Sequence, residues 1–187
     1  MVNDLTKRFS KNPSVGIAYV YCDFQRRHEQ KIDDLLASLL KQLAESYPFL
    51  PESVKKLYNH HNTIRTRPSL EDISRTLHSV PDNYSKVFII VDALDECQAS
   101  DHCRARLLSE LFNLQKRHGT NILATSRFIP QIVDQFQGSL RLEIRAREED
   151  VWTYLDHHMS PERAFLRKNL ELQEEIKGKI AQVVGGM

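Results

Sequence analysis

Residues 87–97 read VFIIVDALDEC, an apolar and largely β-branched run followed by an acidic cluster. This pattern predicts a strand buried on both faces, as in the parallel sheet of an α/β protein. Such sheets bind ligands just beyond the carboxyl ends of their strands, so Asp92, Asp95 and Glu96 mark a candidate site. The alternative interpretation is a buried strand that ends in a solvated acidic turn.

Strand patterns alternate with helical patterns along the chain, which is typical of βαβ units. Strands are predicted over 15–24, 87–91, 121–125 and 140–144, and helices over 29–46, 52–60, 69–79 and 101–118. A short helix is predicted from Pro130, another helix from Glu148, and one or two more between Pro161 and the end of the chain. The pattern therefore predicts an α/β fold with a helical carboxyl-terminal segment.

Composition gives no indication of a nucleic-acid or membrane partner. Lys and Arg total 26 against 25 Asp and Glu, a net charge of +1, which gives no support for binding nucleic acid or a membrane surface. No apolar run approaches the roughly 20 residues of a membrane span, and the amino end lacks a signal-peptide pattern. We therefore expect a cytoplasmic protein without nucleic-acid or membrane partners.

The cysteines are few and odd in number. Cys22, Cys97 and Cys103 are unlike the framework of a disulfide-rich secreted domain, so we expect reduced thiols. Cys97, His102 and Cys103 lack an evident fourth ligand, which makes them a poor structural zinc pattern.

The acidic strand end, followed by NILATSR at residues 121–127, resembles the NACHT family of signal-transducing NTPases (STAND, NLR-like), and most of all the nephrocystin-like N-terminal domains. The resemblance extends to AYVYCDF at 18–24, LLASLLKQL at 35–43 and LRLEI at 140–144, and it covers residues 16 to 158 or so. It implies a three-layer α/β/α P-loop NTPase core over residues 1–146. Residues 147–187 would begin a small helical subdomain.

The resemblance also assigns roles to the acidic cluster, which matches the Walker B position. Asp92 would hold Mg²⁺ through a water, because this ion prefers hard oxygen ligands and keeps part of its hydration shell. Asp95 or Glu96 would orient the attacking water as the catalytic carboxylate.

The corner after the predicted strand 121–125 would complete the nucleotide site. Thr125 or Ser126 would hydrogen-bond the attacking water, and Arg127 would pair with the γ-phosphate. The alternative is that Arg127 forms a structural ion pair with Asp92 or Asp95.

The phosphate-binding loop of the family is missing from the sequence. A P-loop requires G-x-x-x-x-G-K-[ST], because glycine amides cradle the phosphates, and no such run occurs. Residues 2–9 resemble the tail of the helix that follows this loop, and 179–187 resemble the opening of a later helix, so we expect a chain truncated at both ends. Without the P-loop strand, residues 140–144 would lack their inner neighbour in the sheet.

Three functions remain open. The first is a fragment of a nucleotide-dependent switch whose complete parent binds Mg-ATP, carries downstream repeat domains and self-associates. We expect this chain alone to bind no nucleotide tightly and to hydrolyse none. The second is a non-catalytic interaction module that associates with complete NACHT relatives. The third is a metal-dependent hydrolase built on Asp92, Asp95 and Glu96 alone, for which no second ligand cluster is evident.

Overall fold

Three parallel strands form the sheet of the first of two compact units, which spans residues 1–137. They are β1 (Val15–Tyr21), β2 (Lys86–Asp92) and β3 (Asn121–Ala124), in the order β1-β2-β3. The computed structural model describes residues 2–26, 30–97, 102–145, 147–159 and 174–180. The predicted α/β class with a parallel sheet is confirmed.

Helices fill the connections between the strands. Helix α1 (Val2–Phe9) precedes β1, and α2 (Ile32–Ser46), α3 (Glu52–Ile64) and α4 (Leu70–Ser79) lie between β1 and β2. Helix α5 (Cys103–His118) joins β2 to β3, and the short α6 (Pro130–Val133) follows β3. Ser69 and Asp72 form a capping box that fixes the start of α4. Gly119 ends α5 in the left-handed conformation that glycine adopts without strain.

The core lies between one face of the sheet and helices α2, α4 and α5. Helix α2 packs on β1 and contacts both α4 and α5. Its buried side chains recur at helical spacing, which explains why this segment forms an amphipathic helix; they are Leu35, Leu36, Leu39, Leu40, Leu43 and Ala44. Gly16 permits the close approach of α2 to β1, because a Cβ there would stand 3.0 Å from Leu43 Cδ2.

The opposite face of the sheet is covered less completely. Phe9 of α1 stacks on Phe88 of β2 with ring centroids 5.5 Å apart. Beyond this contact, Tyr19, Tyr21 and Leu123 remain exposed. The central strand β2 is nevertheless mostly buried on both sides, as its apolar sequence predicted.

The predicted strand over residues 140–144 is wrong. These residues are not a strand, and Leu140, Leu142 and Ile144 are each at least 83% exposed. Their alternating pattern favours a β-strand locally, but a strand forms only when a neighbour offers paired backbone groups. In the described part of the chain, β3 pairs with β2 on one side, and its other edge carries no strand.

The second compact unit spans residues 138–187. It contains α7 (Glu148–Met159), which confirms the helix predicted from Glu148, and a helical segment over residues 174–180. Lys177 Nζ lies 2.6 Å from Asp156 Oδ1 and joins these two segments. The rest of the region from Pro161 to the chain end, where one or two helices were predicted, lies outside the described residues. None of the described helices combines the length and hydropathy that a membrane span requires.

Candidate functional site

The carboxyl ends of β2 and β3 meet at one edge of the sheet, as their parallel pairing requires. The Thr125 hydroxyl donates to Asp92 Oδ1 in a short hydrogen bond. The same hydroxyl oxygen accepts from the Ala93 amide at 2.9 Å. The Thr125 backbone also bonds on both sides, since its amide donates to Val91 O and its carbonyl accepts from the Leu94 amide. Asp92 and Thr125 are therefore fixed to each other through both side chain and backbone.

A strained turn carries the chain from β2 into the acidic cluster. Ala93 has φ 52° and ψ 47°, the left-handed region that non-glycine residues rarely adopt. The next three residues, Leu94–Glu96, form a 3₁₀ turn anchored by the fully buried Leu94. Nothing in the residue type of Ala93 signals this conformation, so the sequence did not reveal it.

Asp95 and Arg127 form an ion pair across the same edge. Arg127 Nε donates to Asp95 Oδ2 at 2.5 Å, and the Arg127 amide donates to Asp95 Oδ1 at 3.1 Å. The Asp95 side chain is 4% exposed, whereas that of Arg127 is 78% exposed. Burial raises the pKa of the Asp95 carboxyl, but the hydrogen bonds and charge of Arg127, together with the backbone amide of Asp95, outweigh it and hold this pKa below its ordinary value. Of the two sequence interpretations of Arg127, the geometry is that of the ion pair.

Glu96 bonds to the loop after β1, a partner that the sequence did not indicate. Its Oε2 accepts from the Phe24 amide at 2.9 Å, in the loop that follows β1. Gln30 closes the same loop, because its side-chain amide accepts from the Asp23 amide and donates to the Tyr21 carbonyl. The structure pairs β1 with β2 in parallel, so the loop after β1 and the acidic turn after β2 share one edge.

Ser126 differs from the other predicted residues of the corner. It is exposed, and its hydroxyl donates to the neighbouring Arg127 carbonyl at 2.7 Å. The edge thus brings together two cross-strand side-chain pairs, Asp92 with Thr125 and Asp95 with Arg127, and ties Glu96 to the loop after β1.

The three cysteines converge beside this edge. Cys22 follows β1, Cys97 follows the acidic turn, and Cys103 begins α5, and each is at most 5% exposed. Cys97 Sγ lies 4.0 Å from Cys103 Sγ, and Cys103 Sγ lies 3.7 Å from the Gln30 carbonyl oxygen. A hydrogen bond from Cys97 lowers the pKa of the Cys22 thiol, while that bond and burial raise the pKa of Cys97 above its ordinary range. The three are not joined by disulfides.

A family described as Nephrocystin 3, N-terminal matches residues 1–127. The chain belongs to this family. The match of the nephrocystin 3 N-terminal family runs from α1 through β3 and ends at Arg127, so it contains every residue of the candidate site. The predicted resemblance to nephrocystin-like N-terminal domains is thereby confirmed. No curated protein matches the chain.

One residue of this nephrocystin 3 N-terminal domain, Asp92, has the ligand chemistry that a magnesium ion prefers. Asp92 is a hard oxygen ligand, half-buried at the sheet edge. The described residues contain no group of three or more His, Cys, Asp or Glu side chains arranged to bind a metal. A phosphate requires a cradle of glycine amides, which the sequence does not supply.

Proposed function

We propose that this chain is the Walker B half of a NACHT-type, nucleotide-dependent signalling switch. One observation carries the proposal: the carboxylates that end the central strand are bonded to the hydroxyl and the guanidinium that follow the neighbouring strand. This is the edge of a parallel sheet at which α/β proteins bind ligands. The nephrocystin 3 N-terminal family match over the same residues supports the proposal.

Each residue would have a distinct task in the complete switch. Asp92 would hold Mg²⁺ through water, with its carboxylate oriented by Thr125. Asp95 and Glu96 are the candidate catalytic carboxylates, and Thr125, Ser126 and Arg127 would face the nucleotide. Bound Mg-ATP would supply the ion that neutralises charge on the phosphates. In the ion-paired state, Arg127 is held by Asp95, so its engagement of a phosphate would require this pair to open.

The proposal is tested by calorimetric titration of Mg-ATP into two proteins. One is this chain, for which we expect no tight binding. The other is a chimera that carries the P-loop strand and Walker A loop of a NACHT relative ahead of Val2, for which we expect measurable binding that depends on Mg²⁺. The phosphate cradle is the missing element, so restoring it is expected to restore affinity.

Two matched variants of the chimera control the experiment. Asp92→Asn is expected to abolish the magnesium dependence, because an amide is a weaker ligand for a hydrated cation than a carboxylate. Mutation of the Walker A lysine in the grafted loop is expected to abolish binding altogether. A chimera that folds, as judged by circular dichroism, and binds no Mg-ATP would show that the proposal is wrong. Tight binding by the chain alone would require a different nucleotide site.

A second candidate function is that of a non-catalytic interaction module, and one observation favours it. Within the described residues, one edge of strand β3 has no strand neighbour, and Leu123 on this strand is 41% exposed. The segment 140–144 alternates apolar and charged residues and exposes Leu140, Leu142 and Ile144. Exposed strand edges are templates for pairing with another chain. We propose that the 140–144 segment of a second copy pairs with β3.

Light scattering at increasing protein concentration tests this module. We expect a concentration-dependent dimer, and its loss in Leu142→Lys, because a charge on the paired strand disfavours burial between copies. Leu50→Lys is the control, since Leu50 is an exposed leucine of the same unit as β3 but far along the chain from it. A chain that stays monomeric at every concentration would contradict the module, as would a dimer that survives Leu142→Lys.

A further inference from the structure

The three cysteines lie close together and have no role in the proposed nucleotide site. The three cysteines of the sequence come from separate segments, the end of β1, the acidic turn and the start of α5. All three lie in the buried core, where Cys97 contacts both Cys22 and Cys103. Within this cluster, Cys97 and Cys103 have sulfurs 4.0 Å apart. We propose that this pair is an oxidation site, at which peroxide forms a Cys97–Cys103 disulfide. This inference does not rest on the proposed function.

The geometry favours this pair over a metal site. The sulfurs must approach by about 2 Å to reach the bond length of a disulfide, a distance within the range of side-chain rotation. The described residues contain no group of three or more His, Cys, Asp or Glu arranged to hold a metal. Cys103 is also the first residue of the 16-residue helix α5, and its sulfur lies 3.7 Å from the Gln30 carbonyl oxygen.

The reaction balances with hydrogen peroxide as the oxidant. The Cys103 thiolate attacks the O–O bond, which forms an S–O bond and releases hydroxide, and this takes up a proton to become water. The Cys97 sulfur then attacks the sulfenic sulfur, the S–O bond breaks and the S–S bond forms. The departing hydroxide leaves as water with the proton of Cys97. Two thiols are oxidised, and one peroxide is reduced to two waters.

A Cys97–Cys103 disulfide would affect the candidate site because Cys97 is joined directly to the acidic turn. Cys97 directly follows Glu96, whose carboxylate bonds to the Phe24 amide. A disulfide to Cys103 would fix the end of the acidic turn to the start of α5. It would therefore limit how far Asp95 and Glu96 move away from their present partners.

The sequence allows a direct test on the unmodified full chain. After treatment with hydrogen peroxide, we expect the number of titratable thiols to fall from three to one and the mass to fall by two hydrogens. Trypsin cleaves after Lys86 and after Arg104, and no Lys or Arg lies between Cys97 and Cys103. The link must therefore appear within the single peptide 87–104. A link from Cys22 would instead join this peptide to residues 12–26.

Variants separate the three thiols. We expect the loss of two hydrogens to persist in Cys22→Ser and to disappear in Cys97→Ala and in Cys103→Ala, and dithiothreitol to reverse it in the wild-type chain. A cross-link from Cys22 to the 87–104 peptide would overturn the proposal. So would a gain of oxygen atoms without any cross-link. Because the peptide map is made on the wild-type chain, the assignment holds even where a variant fails to fold.

Discussion

Replacing Thr125 by valine is expected to lower the free energy of unfolding by about 1–3 kcal/mol, the cost of leaving a part-buried polar group unpaired. Valine keeps the shape of threonine and removes its hydroxyl. That hydroxyl accepts from the Ala93 amide at 2.9 Å and donates to Asp92. The variant would leave the Ala93 amide without this partner in a turn that is already strained. Urea unfolding, followed by far-ultraviolet circular dichroism, measures the change.

The neighbouring hydroxyl supplies a matched control for this prediction. Ser126→Ala removes an exposed hydroxyl that donates only to the adjacent carbonyl, so the change is expected to stay within about 0.5 kcal/mol. Thr125→Ser keeps the hydroxyl and is expected to restore most of the stability. Equal losses for Thr125→Val and Ser126→Ala would show that the hydrogen bonds between β2 and β3 do not stabilise the fold.

Replacing Arg127 by alanine is expected to raise the pKa of Asp95 toward or above the ordinary value of an aspartate, near 3.9. Burial raises this pKa, and in the wild-type chain the hydrogen bonds and charge of Arg127, with the backbone amide of Asp95, outweigh it. The variant loses the guanidinium and keeps the backbone amides of residues 127 and 95 as donors to the Asp95 carboxyl. The carboxylate would then be buried with weaker compensation. NMR titration of the Asp95 carboxyl carbon measures the shift directly.

The sign of the stability effect follows from linkage. A carboxyl whose pKa is lowered by folding contributes stability above the unfolded-state pKa, and this contribution is lost as pH falls through the folded-state value. The wild-type chain should therefore exceed Arg127→Ala in stability at neutral pH, and the difference should shrink below about pH 4. The exposed Arg67 offers a control, because Arg67→Ala removes the same charge away from the site. A deficit that is equal at neutral and acidic pH would mean that Arg127 acts through packing.

Much of this edge could be predicted from the sequence, because strand ends are a local signal. The apolar run of β2 located its own carboxyl end, and the resemblance to NACHT domains indicated Thr125 and Arg127 at the end of the next strand. Parallel pairing then required these ends to meet, as they do. The sequence did not predict which carboxylate pairs with Arg127, because Asp92 and Asp95 were both possible partners. In the structure the partner is Asp95.

The wrong strand and the unpredicted cysteine contacts have the same physical origin, because both depend on contacts between distant parts of the chain. Residues 140–144 have the composition of a strand, but strand formation depends on a partner edge that sequence alternation does not reveal. The cysteine cluster was missed for a similar reason. Cys22 and Cys97 lie far apart in the chain, and their approach depends on the register of β1 against β2, in which Tyr21 stands opposite Asp92. The small, odd number of cysteines predicted reduced thiols, but it did not predict that the three side chains lie close together.

The bonds that join Asp92 to Thr125 and Asp95 to Arg127 also bear on how this protein folds. Each spans 32 or 33 residues of sequence, and each closes only when α5 has returned the chain to the sheet. Such long-range contacts cost loop-closure entropy before they contribute stability. We therefore expect the edge of the sheet to form late in the folding of the β2-α5-β3 unit. Protection of the Ala93 amide against hydrogen exchange during refolding would measure when it forms.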